Sequence, residues 1–174
     1  MISRKRTVPA IAVLVFFSSI ALHAAPQGGA SSADQKELFN YTLTMDKIHK
    51  LADAQNDLAA LQKSNPDLAK AMDSDDSSGN LDQLVQKLQK FPPVVAVLKK
   101  DGLAPREYIV ATMTLIQASM AVGMKKSGTY KDYPPKMLEL VSQANLTFLE
   151  QHWDDLQKDL PAVFNATSNG GDAK

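Results

Sequence analysis

The chain of 174 residues contains no cysteine. Without a thiol it cannot form a disulfide, a covalent haem attachment, a thiolate-bound zinc or iron–sulfur site, or a cysteine nucleophile. A bacterial lipid anchor, which is attached to an N-terminal cysteine, is excluded in the same way. The stability of the fold must therefore come from its apolar core.

Recognisable catalytic motifs are missing as well. The sequence has neither the Gly-x-Ser-x-Gly turn that presents a nucleophilic serine nor the His-Glu-x-x-His pair of zinc hydrolases. Paired-carboxylate catalysis stays open on spacing alone, although no glutamate lies in a catalytic motif. We therefore expect that the protein is not an enzyme and has no catalytic residue, no metal site and no cofactor.

Arginine is nearly absent after the first 24 residues, because Arg106 is the only one there. The 150 residues from 25 onward carry 16 basic and 19 acidic side chains, which gives them a net charge of −3. Nucleic acid and anionic lipid both attract basic surfaces. We therefore expect neither as a partner.

The first 24 residues have a composition of their own. Residues 1–6 carry three basic side chains and no acidic one, residues 7–22 are apolar or small, and Ala24 and Ala25 follow. This order is typical of a secretory signal peptide, and the apolar part is short for a membrane span. Because small exported eukaryotic domains usually contain disulfides, we predict a bacterial protein. Cleavage after Ala24 would leave a soluble periplasmic or secreted chain with no stable membrane anchor.

Apolar residues recur at helical spacing through most of the remaining chain. The main helices are predicted at about 44–63, from 80 through 88, at 105–126 and from 135 towards 160, with a kink or break at 142–145. Shorter helices are predicted at 66–72 and 92–100, and the helix at 105–126 is expected to be buried on most sides. Met137, Leu138 and Val141 are expected to face inward.

These patterns predict an all-α, single-domain antiparallel helical bundle with four main helices and one or two short ones. The predicted organisation is a signal peptide at 1–24, a flexible leader at 25–33, a helical domain at 34–164 and a disordered tail at 165–174.

Arg106, Tyr108, Asn145 and His152 are the candidate binding residues. Arg106 lies in the first turn of a helix, where a positive charge is unfavourable, so it needs either Asp101 or an acid on another helix. If the helix before Asn145 runs back along the central helix, the four side chains line one end of the bundle. They would then form a binding pocket over an apolar floor. In the alternative, Arg106 pairs with a carboxylate, Asn145 caps its helix and His152 bonds a neighbour.

Two cofactor-binding roles remain as alternatives to an ordinary apolar core. Met113, Met120 and Met124 share one face of the central helix, where thioethers could hold copper(I). Met45 and His152, on the first and last main helices, could ligate a non-covalent haem. Methionine is also a common core residue, and we interpret these side chains as core.

Three segments carry a resemblance to known sequences, namely Leu43-Thr44-Met45, Gly102-Leu-Ala-Pro-Arg-Glu-Tyr108 and Ala144-Asn-Leu-Thr-Phe148. The chain resembles a family of uncharacterised exported bacterial all-helical proteins. The resemblance implies the fold and export, and it implies no activity.

Together these observations favour a non-enzymatic binding or accessory module of the bacterial cell envelope. Its expected partner is another envelope protein or a small apolar ligand. The alternative is a carrier of a small ligand or cofactor, haem or copper, inside the bundle. An enzyme that acts on the cell wall is the third possibility.

Overall fold

The computed structural model describes residues 31–73, 79–161 and 163–164. That part of the chain forms one all-α domain, as predicted, with eight helices rather than five or six. The helices are α1 (Ser32–Asn40), α2 (Met45–Ser64), α3 (Pro66–Asp73), α4 (Leu81–Gln89), α5 (Pro92–Lys100), α6 (Pro105–Lys126), α7 (Pro135–Leu140) and α8 (Gln143–Asp159). The predicted signal peptide, most of the predicted leader and the predicted tail lie outside the described residues.

The helices begin where capping residues and prolines predict. Thr44 caps α2, and Asn80 forms a reciprocal capping box with Gln83 at the start of α4. Prolines occupy the first turns of α5, α6 and α7, where a missing N–H costs nothing. Gly102, with φ +75°, closes α5, because its left-handed backbone lets the Leu103 N–H reach the Leu98 carbonyl at 2.8 Å.

Helix α6 is the centre of the domain. It packs against α1, α2, α4, α5, α7 and α8, and its buried side chains include Leu115, Ala118 and Val122. The prediction of a central helix that is buried on most sides is confirmed. None of the described helices is long and apolar enough to cross a membrane.

Between α6 and α8, the break in the helix is as predicted but the orientation of Leu138 is not. The predicted break is real, because α7 ends at Leu140 and Ser142 caps α8. Leu138 was expected to face inward, but 44% of its surface is exposed. Met137, Leu140 and Val141 pack against the core at helical spacing. Because these residues form the inner face of the segment, Leu138 lies on its outer face.

Helix α1 begins inside the segment that was predicted as a flexible leader. Ser31 caps it, and the Asp34 carboxylate accepts a hydrogen bond from the Ser31 N–H at 3.0 Å. Leu38 is its only buried apolar side chain. Leu38 and Phe39 are adjacent and so give no helical periodicity, which is why the pattern that located the other helices did not locate α1.

Candidate functional site

Arg106 joins three helices at the N-terminal end of α6. Its Nε and Nη2 donate to the two carboxylate oxygens of Glu37 on α1, at 2.9 and 2.7 Å. Its Nη1 donates to the Asp82 carboxylate on α4 at 2.5 Å. The bonds to Glu37, and then those to Asp82, raise the pKa of the Arg106 guanidinium. The expectation of an acid on another helix is therefore correct, whereas Asp101 is not the partner.

Two further polar contacts attach α1 near Arg106. The largely buried Asp34 carboxylate accepts the first N–H of α4, from Leu81, at 3.4 Å. The Thr114 hydroxyl on α6 donates to the Leu38 carbonyl at 3.3 Å. Both carboxylates of α1 thus face hydrogen-bond donors on other helices.

Asn145 fastens the link between α1 and α2 to the start of α8. Its side chain is fully buried, donates to the Tyr41 carbonyl at 2.7 Å and accepts the Leu43 N–H at 2.9 Å. It does not cap its helix, because the cap is Ser142, whose hydroxyl accepts the Asn145 N–H. The capping interpretation of Asn145 is wrong, since the amide satisfies two backbone groups of a distant segment instead.

Arg106 and Asn145 both contact residues 37–43, so the structure brings these two candidates to one region of the fold. The Tyr41 hydroxyl also lies 3.5 Å from the Glu107 carboxylate. Burial, and then the negative charge of Glu107, raise the pKa of Tyr41. The hydrogen-bonding groups of this region bond to one another, as expected if Arg106 and Asn145 have a structural role. A binding role for the region stays a prediction.

Tyr108 and His152 have different surroundings. Tyr108 is buried, and burial raises its pKa to about 12. The half-buried His152 packs against Phe148, with ring centroids 4.8 Å apart and planes at 44°. These contacts do not test the predicted pocket of four converging side chains, which stays a prediction.

A shallow polar cleft lies between α2 and α8. It has a volume of about 470 Å³ and is lined by His49, Ala52, Asp53, Asn56, Lys158 and Asp159. His49 is largely exposed, and its Nε2 lies 3.9 Å from the Asp159 carboxylate. In the described part of the chain, no group of three or more histidine, aspartate or glutamate side chains could hold a metal ion.

The least covered face of α6 is apolar. Met113, Ile116, Met120 and Met124 follow one another at helical spacing, and all are half-buried. We call these four side chains the methionine face. Gln117 lies within the same stretch, and its Oε1 is buried without a hydrogen-bond partner among the described residues. Met113 packs against the buried core, as interpreted, and all three methionines are partly exposed.

The C-terminal end of α6 is held against α8. Lys125 Nζ donates to the Glu150 carboxylate at 2.7 Å and lies 4.5 Å from the centre of the Tyr133 ring. The bond from Lys125 is the largest cause of a lowered pKa at Glu150. Lys126 lies over the Trp153 ring at 5.6 Å.

The sequence patterns did not identify the acidic residues around Arg106, although one usable signal was present. Ser31 and Asp34 have the spacing of a capping box, which could have located α1 and brought Glu37 into consideration. Nothing in the spacing of Asp82 indicates that it approaches Arg106.

Comparison with known proteins identified no relative of this chain. No family model matches the chain, and neither a curated protein nor a solved structure matches it. The family resemblance stays a prediction, and a functional argument has to come from the sequence and the geometry.

Proposed function

We propose that the protein is an exported, non-enzymatic binding module of the bacterial cell envelope, and that it binds an apolar segment of another envelope protein through the methionine face. Export is proposed from the composition of residues 1–24. The observation that carries the binding proposal is that the least covered face of the central helix is apolar along Met113 to Met124. At the helical rise of 1.5 Å per residue, that stretch is roughly 16 Å long.

Methionine suits such a surface. Its side chain is unbranched and polarisable, so several methionines can adapt to apolar partners of different shapes. The buried Oε1 of Gln117 lacks a donor among the described residues, and an unpaired buried acceptor is costly. An N–H or hydroxyl group of a bound segment could supply the missing donor.

Position-specific crosslinking tests this proposal. A photoreactive amino acid replaces Met120 in the full chain, produced in its native cells, and Gln157, exposed on α8, is the control position. We expect an adduct of one defined size from position 120 and none from position 157. Ile116→Glu, which places a charge on the same face, should abolish that adduct while the protein stays folded. No adduct from position 120, or the same adduct from both positions, would contradict the proposal.

Copper(I) binding is the second candidate, because the methionine face brings three thioethers to one side of α6. Haem has less support, since His152 packs against Phe148. Titration of the purified protein with copper(I), against a competing chelator, tests the candidate. One equivalent bound by the native chain, and none after Met113, Met120 and Met124 are all changed to leucine, would favour a copper carrier over a protein-binding module.

A further inference from the structure

Helix α1 is attached to the domain chiefly by polar groups. Of its nine residues, only Asp34 and Leu38 are buried. The side chain of Glu37 is 37% exposed and that of its partner Arg106 is 41% exposed. Exposed ion pairs and one buried leucine hold a helix much less firmly than a continuous apolar face does. Helix α1 should therefore open locally at a lower free energy than the rest of the domain.

A defined boundary separates α1 from the rigid part of the fold. Asn145 holds the Tyr41 carbonyl and the Leu43 N–H from a fully buried position. Residues 41–43 are thus fixed to α8 at the point where α1 ends. If α1 opened, this link would keep it tethered beside the surface that it had left.

The surface beneath α1 presents hydrogen-bond donors. The Arg106 guanidinium, the Leu81 N–H at the start of α4 and the Thr114 hydroxyl all point at acceptors on α1. When α1 leaves, Arg106 keeps its bond to Asp82, but the three donors lose the two carboxylates and the carbonyl that α1 supplies. Guanidinium and helix N-terminal N–H groups bind carboxylates well, so another acidic segment could replace α1.

We propose that α1 is a releasable strap over a docking site for an acidic amphipathic helix of a partner protein. The charges of the docking site, together with the residues of α1 that occupy it, define the expected partner helix. It carries two carboxylates three residues apart, in the places of Asp34 and Glu37, and an apolar residue in the place of Leu38. This proposal does not depend on the methionine face, which is a different part of α6.

A peptide supplied in trans tests whether the site can exchange its occupant. A fluorescent peptide of residues 31–44 is added to the purified exported chain, and binding is followed by anisotropy. Glu37→Ala in the protein weakens the tethered α1 and leaves the Nε and Nη2 donors of Arg106 available to the peptide, so the apparent affinity of the peptide should rise about tenfold. Arg106→Ala weakens the tethered α1 equally but removes the same contact from the peptide, so its affinity should not rise.

Two controls separate exchange from general destabilisation. Glu150→Ala removes an ion pair of similar exposure at the other end of α6 and should leave peptide binding unchanged. A peptide with its own Glu37→Ala change should lose the tenfold gain on the Glu37→Ala protein. If Glu37→Ala and Arg106→Ala affected peptide binding alike, the ion pair would be structural only and the proposal would fail.

Hydrogen exchange gives an independent measurement. We expect the amides of α1 to exchange faster than those in the centre of α6, and Glu37→Ala to accelerate α1 alone. Equal exchange rates in α1 and α6 would mean that α1 opens only with the whole domain, which would overturn the proposal. A stable dimer that excluded the peptide would assign the site to a second copy of the chain and overturn it as well.

Discussion

The two ends of α6 are both held by ion pairs, but their architecture differs. At the N-terminal end, one guanidinium binds carboxylates on two other helices, and the partners are 69 and 24 residues away in the sequence. At the C-terminal end, the Lys125 ammonium binds one carboxylate on α8 and lies over the Tyr133 ring. The first end closes the fold across three helices, whereas the second joins α6 to α8 and to the loop before α7.

The difference follows from the chemistry of the two cations. Arginine offers a rigid planar fork that can satisfy two acceptors in fixed directions, while a lysine ammonium is a compact charge with little directional demand. Arg106 can therefore fix the relative positions of its partners, and Lys125 can tolerate movement. The N-terminal end should be the more sensitive to substitution, although its ion pairs are no less exposed.

The largest expected effect at the N-terminal end concerns Asn145. Asn145→Ala leaves the Tyr41 carbonyl and the Leu43 N–H without their partner in a buried place. Each unsatisfied buried group costs on the order of 1–3 kcal/mol, so we expect a loss of about 3 kcal/mol in the free energy of unfolding. Thermal denaturation should show this as a fall in Tm of roughly 10 °C.

Asn56→Ala is the matched control, because Asn56 is exposed on α2. It should change Tm by only a degree or two, roughly. If Asn145→Ala melted like the native chain, the amide would not fasten residues 41–43, and the fixed boundary of α1 would be lost with it.

A reciprocal pair of substitutions sharpens the comparison of the two cations. Arg106→Lys removes the fork and can satisfy fewer of the three acceptor oxygens, so we expect a loss of about 0.5–1 kcal/mol, limited by exposure. Lys125→Arg keeps the charge beside Glu150 and should change stability by less than about 0.5 kcal/mol. Urea denaturation of both variants measures the difference. Equal losses would show that the geometry of the cation does not matter at either end.

Much of the fold could be predicted from the sequence, and less of the site. Pro105 and Pro135 located two helix starts, and the repeating apolar positions located the long helices. Helix α1 was not predicted, because a single buried leucine gives no repeating apolar pattern. The need of Arg106 for an acid followed from its place in a first turn. The identity of that acid did not, because helix packing brings Glu37 to Arg106 from 69 residues away.

At the C-terminal end of α6, one substitution should stabilise the protein. Gly123 lies within the helix, and an added Cβ would meet the Trp153 ring at 3.6 Å, which is ordinary van der Waals contact. Gly123→Ala should therefore raise the free energy of unfolding by about 0.5–1 kcal/mol, because alanine loses less conformational entropy in a helix. A higher Tm checks this. A fall in Tm would mean that α6 and α8 are packed too tightly there to admit a methyl group.

The smallest effect is a pH dependence that belongs to the C-terminal end. The hydrogen bond from Lys125, and then the contribution of Tyr133, lower the pKa of Glu150 below its ordinary value of 4.5. A carboxyl whose pKa is lower in the folded chain stabilises the fold above its unfolded pKa. That contribution is lost as the pH falls from 4.5 through the folded pKa. The Tm of the native chain should therefore exceed that of Glu150→Gln near neutral pH, and the two values should converge as the pH falls below 4.5 and through the folded pKa. Glu139→Gln, on the exposed side of α7, is the control and should track the native chain. A difference between the native chain and Glu150→Gln that stayed constant down to low pH would mean that the Lys125 pair contributes through packing rather than charge.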